Sequence, residues 1–209
     1  MSDFFRSIFG RESREGGENG GGGSSRRPPA TVVVVVGLGN PGRRYERTRH
    51  NAGFLVAEEL AKRHGGSWRN KKKSEASDIS INHKDVSLIK PTTMMNNSGA
   101  ALSGNDAEHL IVVHDELDLP PGEVRVKVGG GAGGHNGLRS IMNNLGGDFV
   151  RVRVGVGRPP EGMSVTDHVL GGMEKTVRDS IPAAAAAVEK ILADGPECAM
   201  DVVNVRKKD

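Results

Sequence analysis

Cysteine and aromatic side chains are nearly missing from this chain. Its 209 residues include one cysteine, one tryptophan, one tyrosine and five phenylalanines. The lone Cys198 excludes an internal disulfide framework and zinc sites built on cysteine pairs, and it points to a reducing compartment. With few aromatic rings, the core has to come from Val, Leu, Ile, Ala and Met. No apolar run reaches the roughly 18 residues of a membrane span. A soluble, cytoplasmic chain with no membrane partner is therefore expected. The sequence has no G-x-S-x-G elbow, which argues against a serine nucleophile on that turn. It also has no H-x-x-x-H or H-E-x-x-H spacing, so no metal is expected. The formal net charge is only +3, which permits a nucleic-acid partner without arguing for one.

Residues 1–31 differ from the rest. Gly16 to Arg27 is mostly Gly, Ser, Glu and Arg, and Pro28-Pro29 follow. This composition is that of a flexible linker. Ahead of it, Phe4, Phe5, Ile8 and Phe9 have the spacing of one face of a short helix. There is no h-region of a secretory signal, and Asp3, Glu12, Glu15 and Glu18 disfavour a transit peptide. The division expected is a disordered extension over 1–31 and one domain over 32–209.

Along that domain, Val32–Val36 is a continuous β-branched run, the pattern of a strand buried on both faces. Residues 51–64 read as a helix capped by Asn51 and closed at Gly65. Ile79–Ile81 and Val86–Ile89 read as two strands around a turn at His83, Lys84 and Asp85. Leu110–His114 is another buried strand. Val124, Val126 and Val128 alternate with Arg125 and Lys127, and Val150–Val156 alternates with Arg151 and Arg153, so each has one polar face. Residues 136–145 read as a helix after a glycine run. A further helix opens at Ser180-Ile181-Pro182 and ends near Gly195, and a last one covers 197–203. The mixture predicts a single α/β domain, a central twisted mixed sheet flanked by helices.

The first strand runs into Gly37-Leu38-Gly39-Asn40-Pro41-Gly42, a G-x-G-x-x-G spacing. A dinucleotide fingerprint needs a helix that starts in the loop, and an acidic residue at the end of a second strand about 20 residues on. The sequence after Gly42, RRYERTRHN, has no apolar period, and Glu58 and Glu59 fall inside the expected helix. Both requirements fail, so no dinucleotide or other cofactor is expected. A plain tight turn accounts for the glycines but leaves Asn40 unexplained.

Ligands of open α/β sheets collect outside the carboxyl ends of the strands. Asn40, then Asp115, Glu116 and Asp118, then His135 and Asn136 follow three expected strands. The loops TRHNAG, with His50, and KPTTMMNNSG, with Asn96, are candidates to join them. A neutral histidine takes a proton from water, a carboxylate holds its tautomer and stabilises the imidazolium, and asparagine NH₂ groups orient substrate or an oxyanion. Such a set suits hydrolysis of an ester or amide by activated water. His50 precedes a helix N-terminus, which disfavours its protonation, while a nearby carboxylate favours it.

Four blocks of this sequence, VGLGNPGRRYERTRHNAGF, KPTTMMNNSG, VVHDELDLPPG and GGGAGGHNGLRSI, resemble the signature blocks of bacterial peptidyl-tRNA hydrolases, in that family's order. The resemblance covers about residues 32–203. It implies that His50 is a general base, that Asp115 orients it, and that Asn40 senses the acylated amino end of the substrate. Asn96 and Asn136 would bind the peptide backbone, with Tyr45 and Met94 lining the cleft. Lys127 and Arg153 would hold tRNA phosphates. A segment near 157–169 would be a mobile lid. The substrate implied is peptidyl-tRNA, and a monomer is expected. Three departures stand out: Met94 where an aromatic residue is usual, Asn97 where leucine is usual, and a shortened stretch over 99–110.

The principal alternative is a non-catalytic RNA-binding or splicing-partner protein on the same fold. Intact His50 and Asp115 favour the enzyme, since a pure binder has no need of that pair. A dinucleotide-dependent oxidoreductase is a third reading, and a nucleotide-induced rise in melting temperature is what marks it.

Overall fold

The computed structural model describes residues 32–104 and 109–205. The expected extension over 1–31 lies outside the described residues. Seven strands form one sheet: β1 (Val33–Gly37), β2 (Arg69–Asn70), β3 (Ser74–Ile81), β4 (Lys84–Pro91), β5 (Leu110–Glu116), β6 (Val124–Val128) and β7 (Val150–Gly155). Their order across the sheet is β2-β3-β4-β1-β5-β7-β6. The central strands β4, β1, β5 and β7 run parallel, and β3 and β6 are antiparallel to their neighbours. The helices are α1 (Ala52–Arg63), α2 (Asn136–Leu145), α3 (Val165–Leu170), α4 (Lys175–Asp179), α5 (Ile181–Asp194) and α6 (Pro196–Val203). Single 3₁₀ turns cover Arg43–Tyr45 and Arg49–Asn51, and a longer 3₁₀ segment covers Met95–Leu102.

β1 shows why its sequence has no polar position. Val33 and Val35 pack on one face with Val56 and Leu60 of α1 and Val188 and Ile191 of α5. Val34 and Val36 pack on the other with Met95, Leu102, and Leu138 and Ile141 of α2. A strand covered on both faces reads as an unbroken apolar run. The result is three layers, with the strand ends at one edge left open for a site.

The sequence expectations for β1, β5, α1, α2, α5 and α6 hold within one or two residues, and the central mixed sheet is present. Asn51 differs. Its side chain makes no cap bond to α1. It pairs with the backbone of Asn40 instead, accepting from Asn40 N at 2.9 Å and donating to Asn40 O at 3.0 Å. The turn between β3 and β4 centres on Asn82 and His83, both with positive φ. In the stretch expected to be shortened, the described residues carry the end of the 3₁₀ segment, and residues 105–108 lie outside the described residues.

The glycine spacing after β1 serves close packing. No helix starts in the loop; the chain makes a 3₁₀ turn at Arg43–Tyr45, and α1 begins only at Ala52. A Cβ on Gly37 would lie 2.2 Å from the carbonyl oxygen of Gly53. One on Gly53 would lie 2.4 Å from both Leu38 N and Val113 O. The start of α1 thus rests directly on the ends of β1 and β5, which brings the preceding residue pair Arg49-His50 to the strand ends. Gly53→Ala forces backbone apart rather than a flexible side chain, so it should destabilise by at least the ~1–3 kcal/mol of ordinary overpacking. Urea unfolding checks this. A midpoint equal to that of the parent chain would refute the close-packing account.

Candidate active site

Because β1 and β5 are parallel neighbours, their carboxyl ends lie at the same edge, and Asn40 and Asp115 meet there. β4 is parallel too, so the loop after it delivers Met94 and Asn96 to that edge. The glycine run is different. β6 is antiparallel to β7, with Val128 opposite Val150, whereas Asp115 is opposite Val154. The carboxyl end of β6 therefore lies at the far edge, contrary to the sequence expectation. Residues 129–134 must carry the chain back by about 13 Å, four residues of strand rise. Gly129, Gly130, Gly133 and Gly134 all have positive φ, which non-glycine residues rarely adopt.

Arg151 holds this return loop. The alternation of β7 suggested a solvated polar face, yet Arg151 is buried. Its guanidinium donates to the carbonyls of Gly130 and Gly131 and lies 4.8 Å from the Phe149 ring centroid. A glycine loop has carbonyls and no side chains to cover them, and a buried arginine satisfies two at once.

The loop ends at His135, which packs against Asp115. Asp115 is buried at the end of β5 and accepts from two imidazoles. His50 Nδ1 is 2.9 Å from both of its oxygens, and His135 Nε2 is 3.0 Å from Oδ1. Burial alone would push the Asp115 carboxyl up; His50 and His135 outweigh it and hold the group well below the usual carboxylate range. With Nδ1–H directed at Asp115, His50 Nε2 keeps its lone pair and has no protein partner among the described residues. His135 is the N-cap of α2; its Nδ1 accepts from Gly137 N at 3.1 Å and Leu138 N at 3.3 Å.

His50, Asp115 and His135 offer ligand-type atoms within 4.8 Å of one another, a cluster that sequence spacing conceals because three separate segments supply it. The proton arrangement opposes a metal there. Two backbone N–H groups use the Nδ1 lone pair of His135, so its proton sits on Nε2, the atom that would have to bind the ion.

A cleft of about 430 Å³ opens over this cluster, lined in part by Asn40, His50, Met94, Asn96, Asp115 and Asn136. The hydrogen-bond network assigns the amide orientations. Met95 N donates to Asn40 Oδ1 at 2.8 Å, and Arg139 donates to Asn136 Oδ1 at 3.2 Å. Both oxygens are occupied, so both NH₂ groups are left as donors. Residues Val165, Thr166, Val169 and Leu170 of α3 form the opposite wall. In the region of the expected lid, Arg49 donates to His168 O at 2.8 Å and also pairs with Glu174, and His168 Nε2 lies 3.1 and 3.0 Å from the carbonyls of Val156 and Gly157.

The remaining sequence candidates lie apart from the cleft lining. Tyr45 sits in its 3₁₀ turn under the Arg44 guanidinium, 4.6 Å from ring centroid to charge. Lys127 is exposed on β6, and Arg153 on β7 is paired with Glu116 at 2.9 Å. Missed by the sequence reading were the Asn51–Asn40 pairing, the anchoring role of Arg151, and the His135 bond to Asp115.

His114 lies beneath the cluster. It is buried, its Nδ1 is 2.8 Å from the Asp115 carbonyl, and its Nε2 has no hydrogen-bond partner among the described residues. Burial, with His135 nearby, pushes its imidazole down to about 3. The unfolded chain binds this proton at about pH 6.5. Protons thus favour the unfolded state below that pH, and stability falls as pH drops toward the folded value. Urea titrations should show parent stability falling from about pH 6.5 to about pH 5, with a flatter slope in His114→Asn. Equal slopes would contradict this.

A family model described as peptidyl-tRNA hydrolase matches residues 34–209. The peptidyl-tRNA hydrolase of Rubrobacter xylanophilus is 61% identical over 171 residues, 82% of this chain and 99% of that protein. That of Rhodopseudomonas palustris is 48% identical over 160 residues, 73% and 77% of the two chains. The crystal structure of peptidyl-tRNA hydrolase from Acinetobacter baumannii superposes with a TM-score of 0.76 at 39% identity, covering 84% of this chain and 96% of that one. A crystal structure of a peptidyl-tRNA hydrolase complex with N-propanol gives 0.79 at 37% identity, covering 85% and 97%. A family model that spans nearly all of the domain and relatives of this identity and coverage show that the chain belongs to the peptidyl-tRNA hydrolase family.

Proposed function

We propose that this enzyme hydrolyses the ester between peptide and tRNA in peptidyl-tRNA, using a water activated by His50. The observation that carries the reading is the His50–Asp115 pair, with Nδ1 committed to a buried carboxylate and Nε2 left facing a cleft. A water at Nε2 gives up its proton as its oxygen attacks the ester carbonyl carbon. Asp115 keeps Nδ1 protonated and stabilises the imidazolium that forms. The proton then passes to the departing ribose oxygen, which leaves as the free tRNA 3′ end.

The amide orientations support selectivity for a blocked amino end. Asn40 and Asn136 present donors because their oxygens are already engaged. Donors match the carbonyl of an acylated amino group. A free α-ammonium brings more donors and no acceptor, and it would be left unpaired. Asn96 adds a third amide at the cleft. Lys127, exposed and leaning along the glycine loop, is suited to a tRNA phosphate. Arg153 reaches one by sharing or releasing Glu116. The cleft is complete within one chain, which supports action as a monomer. No helix among the described residues is long and apolar enough to cross a membrane; that the substrate is a product of translation supports work in the cytoplasm.

The test is release of N-acetyl-amino acid from N-acetyl-aminoacyl-tRNA, run beside unblocked aminoacyl-tRNA. The parent chain should cleave the blocked ester only, and His50→Ala should lose about 10²–10⁴-fold in rate. Equal cleavage of both esters would defeat the selectivity argument. Undiminished activity in His50→Ala would defeat the mechanism.

A further inference from the structure

Three imidazoles crowd one carboxylate. The His50 and His135 rings are 5.1 Å apart, and those of His114 and His135 are 5.2 Å apart. A general base draws on the carboxylate beside it, so any other group bonded to that carboxylate bears on the base. His114 is committed to a backbone carbonyl and does not touch the carboxylate. His135 does touch it, and the mechanism above gives it no task.

We propose that His135 is a positioning residue, locked by the N-terminus of α2 as an Nε2–H donor, and that through Asp115 it sets the pH at which His50 begins to work. This rests on the reading of His50 as the base. The lock is geometric. Nδ1 of His135 accepts from two backbone N–H groups, so the single ring proton must be on Nε2, where Asp115 Oδ1 accepts it. A second proton at Nδ1 would break both bonds at the start of a ten-residue helix and oppose its dipole. The tautomer cannot flip either, because an Nδ1–H would face two N–H donors.

The consequence runs through the shared oxygen. Each hydrogen bond that Asp115 accepts spreads its negative charge and weakens its pull on a neighbouring imidazolium. The His135 donor takes part of that charge. Without it, Asp115 would hold the His50 proton more tightly, and free base would appear only at higher pH. Charged groups around the cluster are otherwise paired: Glu116 with Arg153, and Arg49 with Glu174. Arg151 binds loop carbonyls; the Asp167 carboxylate of α3 accepts from Ser164 Oγ, the N-cap of that helix, and His168 binds carbonyls. This leaves His135 as the modulator that contacts the carboxylate directly.

Two substitutions separate the two ends of the ring. In His135→Asn the amide oxygen takes the place of Nδ1, so the cap is kept and the donor to Asp115 is lost. In His135→Gln the amide nitrogen takes the place of Nε2, so the donor is kept and the cap is weakened. Hydrolysis of N-acetyl-aminoacyl-tRNA is followed against pH for the parent and both variants. The acid limb of kcat should move to higher pH by about half a unit or more in His135→Asn, with KM for the tRNA substrate little changed. In His135→Gln the limb should stay at the parent position while the melting temperature falls. Imidazole ¹⁵N correlation spectra of the parent chain should show His135 protonated at Nε2. An unmoved limb in His135→Asn, an equal shift in both variants, or an Nδ1–H signal from His135 would overturn the proposal. Failure of the underlying reading is distinct: there the residual activity of His50→Ala would carry the same acid limb as the parent.

Discussion

The buried carboxylate of Asp115 is the constraint on which the rest of this structure depends. Burial disfavours its charge, and only the two imidazoles restore it. Three segments must therefore converge on one point: the end of β5, the turn before α1, and the loop before α2. Each arrives by a different device. β5 does so by its place in the sheet. The turn before α1 is brought by backbone contact at Gly37 and Gly53, where no side chain would fit. The loop before α2 arrives by the return path of the glycine run, held by the buried Arg151. The same positional demand explains why glycines are numerous at this edge of a fold that is elsewhere rich in valine.

The proposed selectivity rests on a second constraint, the occupation of amide oxygens. Asn40 is fixed from both sides, its backbone by Asn51 and its side-chain oxygen by Met95 N. An asparagine held this way is a donor and nothing else. It can greet a carbonyl and cannot greet an ammonium. The 3₁₀ segment that supplies Met95 is itself tight against α2, with Gly99 N donating to Ser140 Oγ at 3.0 Å. Packing of this short segment thus bears on the proposed recognition of substrate.

Much of this was legible in the sequence. β1, β5 and the helices showed in their apolar patterns because each buries a face or both. The pairing of His50 with Asp115 and the placing of Asn40, Met94, Asn96 and Asn136 at one cleft followed from recognisable blocks. What escaped the sequence shares a physical cause: it depends on strand direction and on partners distant along the chain. The alternation in β6 says which faces are polar, not which way the strand runs, so the long return of the glycine loop was hidden. Arg151 alternates exactly as a solvated residue does, and only the bare carbonyls of that loop explain its burial. Asn51 stands where a helix cap belongs, and the backbone of Asn40 captures it first. Tyr45 carried a role from the resemblance, and its packing under the Arg44 guanidinium was not readable from the sequence.

The most direct measurement of the central claim is the single-turnover rate and tRNA affinity of Asp115→Asn. An asparagine there is nearly the same size, yet its NH₂ would turn toward Nδ1 of His50 and favour the tautomer with the proton on Nε2, where water must be activated. The account predicts a rate lower by about 10³–10⁴-fold with substrate binding and fold preserved. A rate near that of the parent chain, or a loss confined to tRNA affinity, would contradict it.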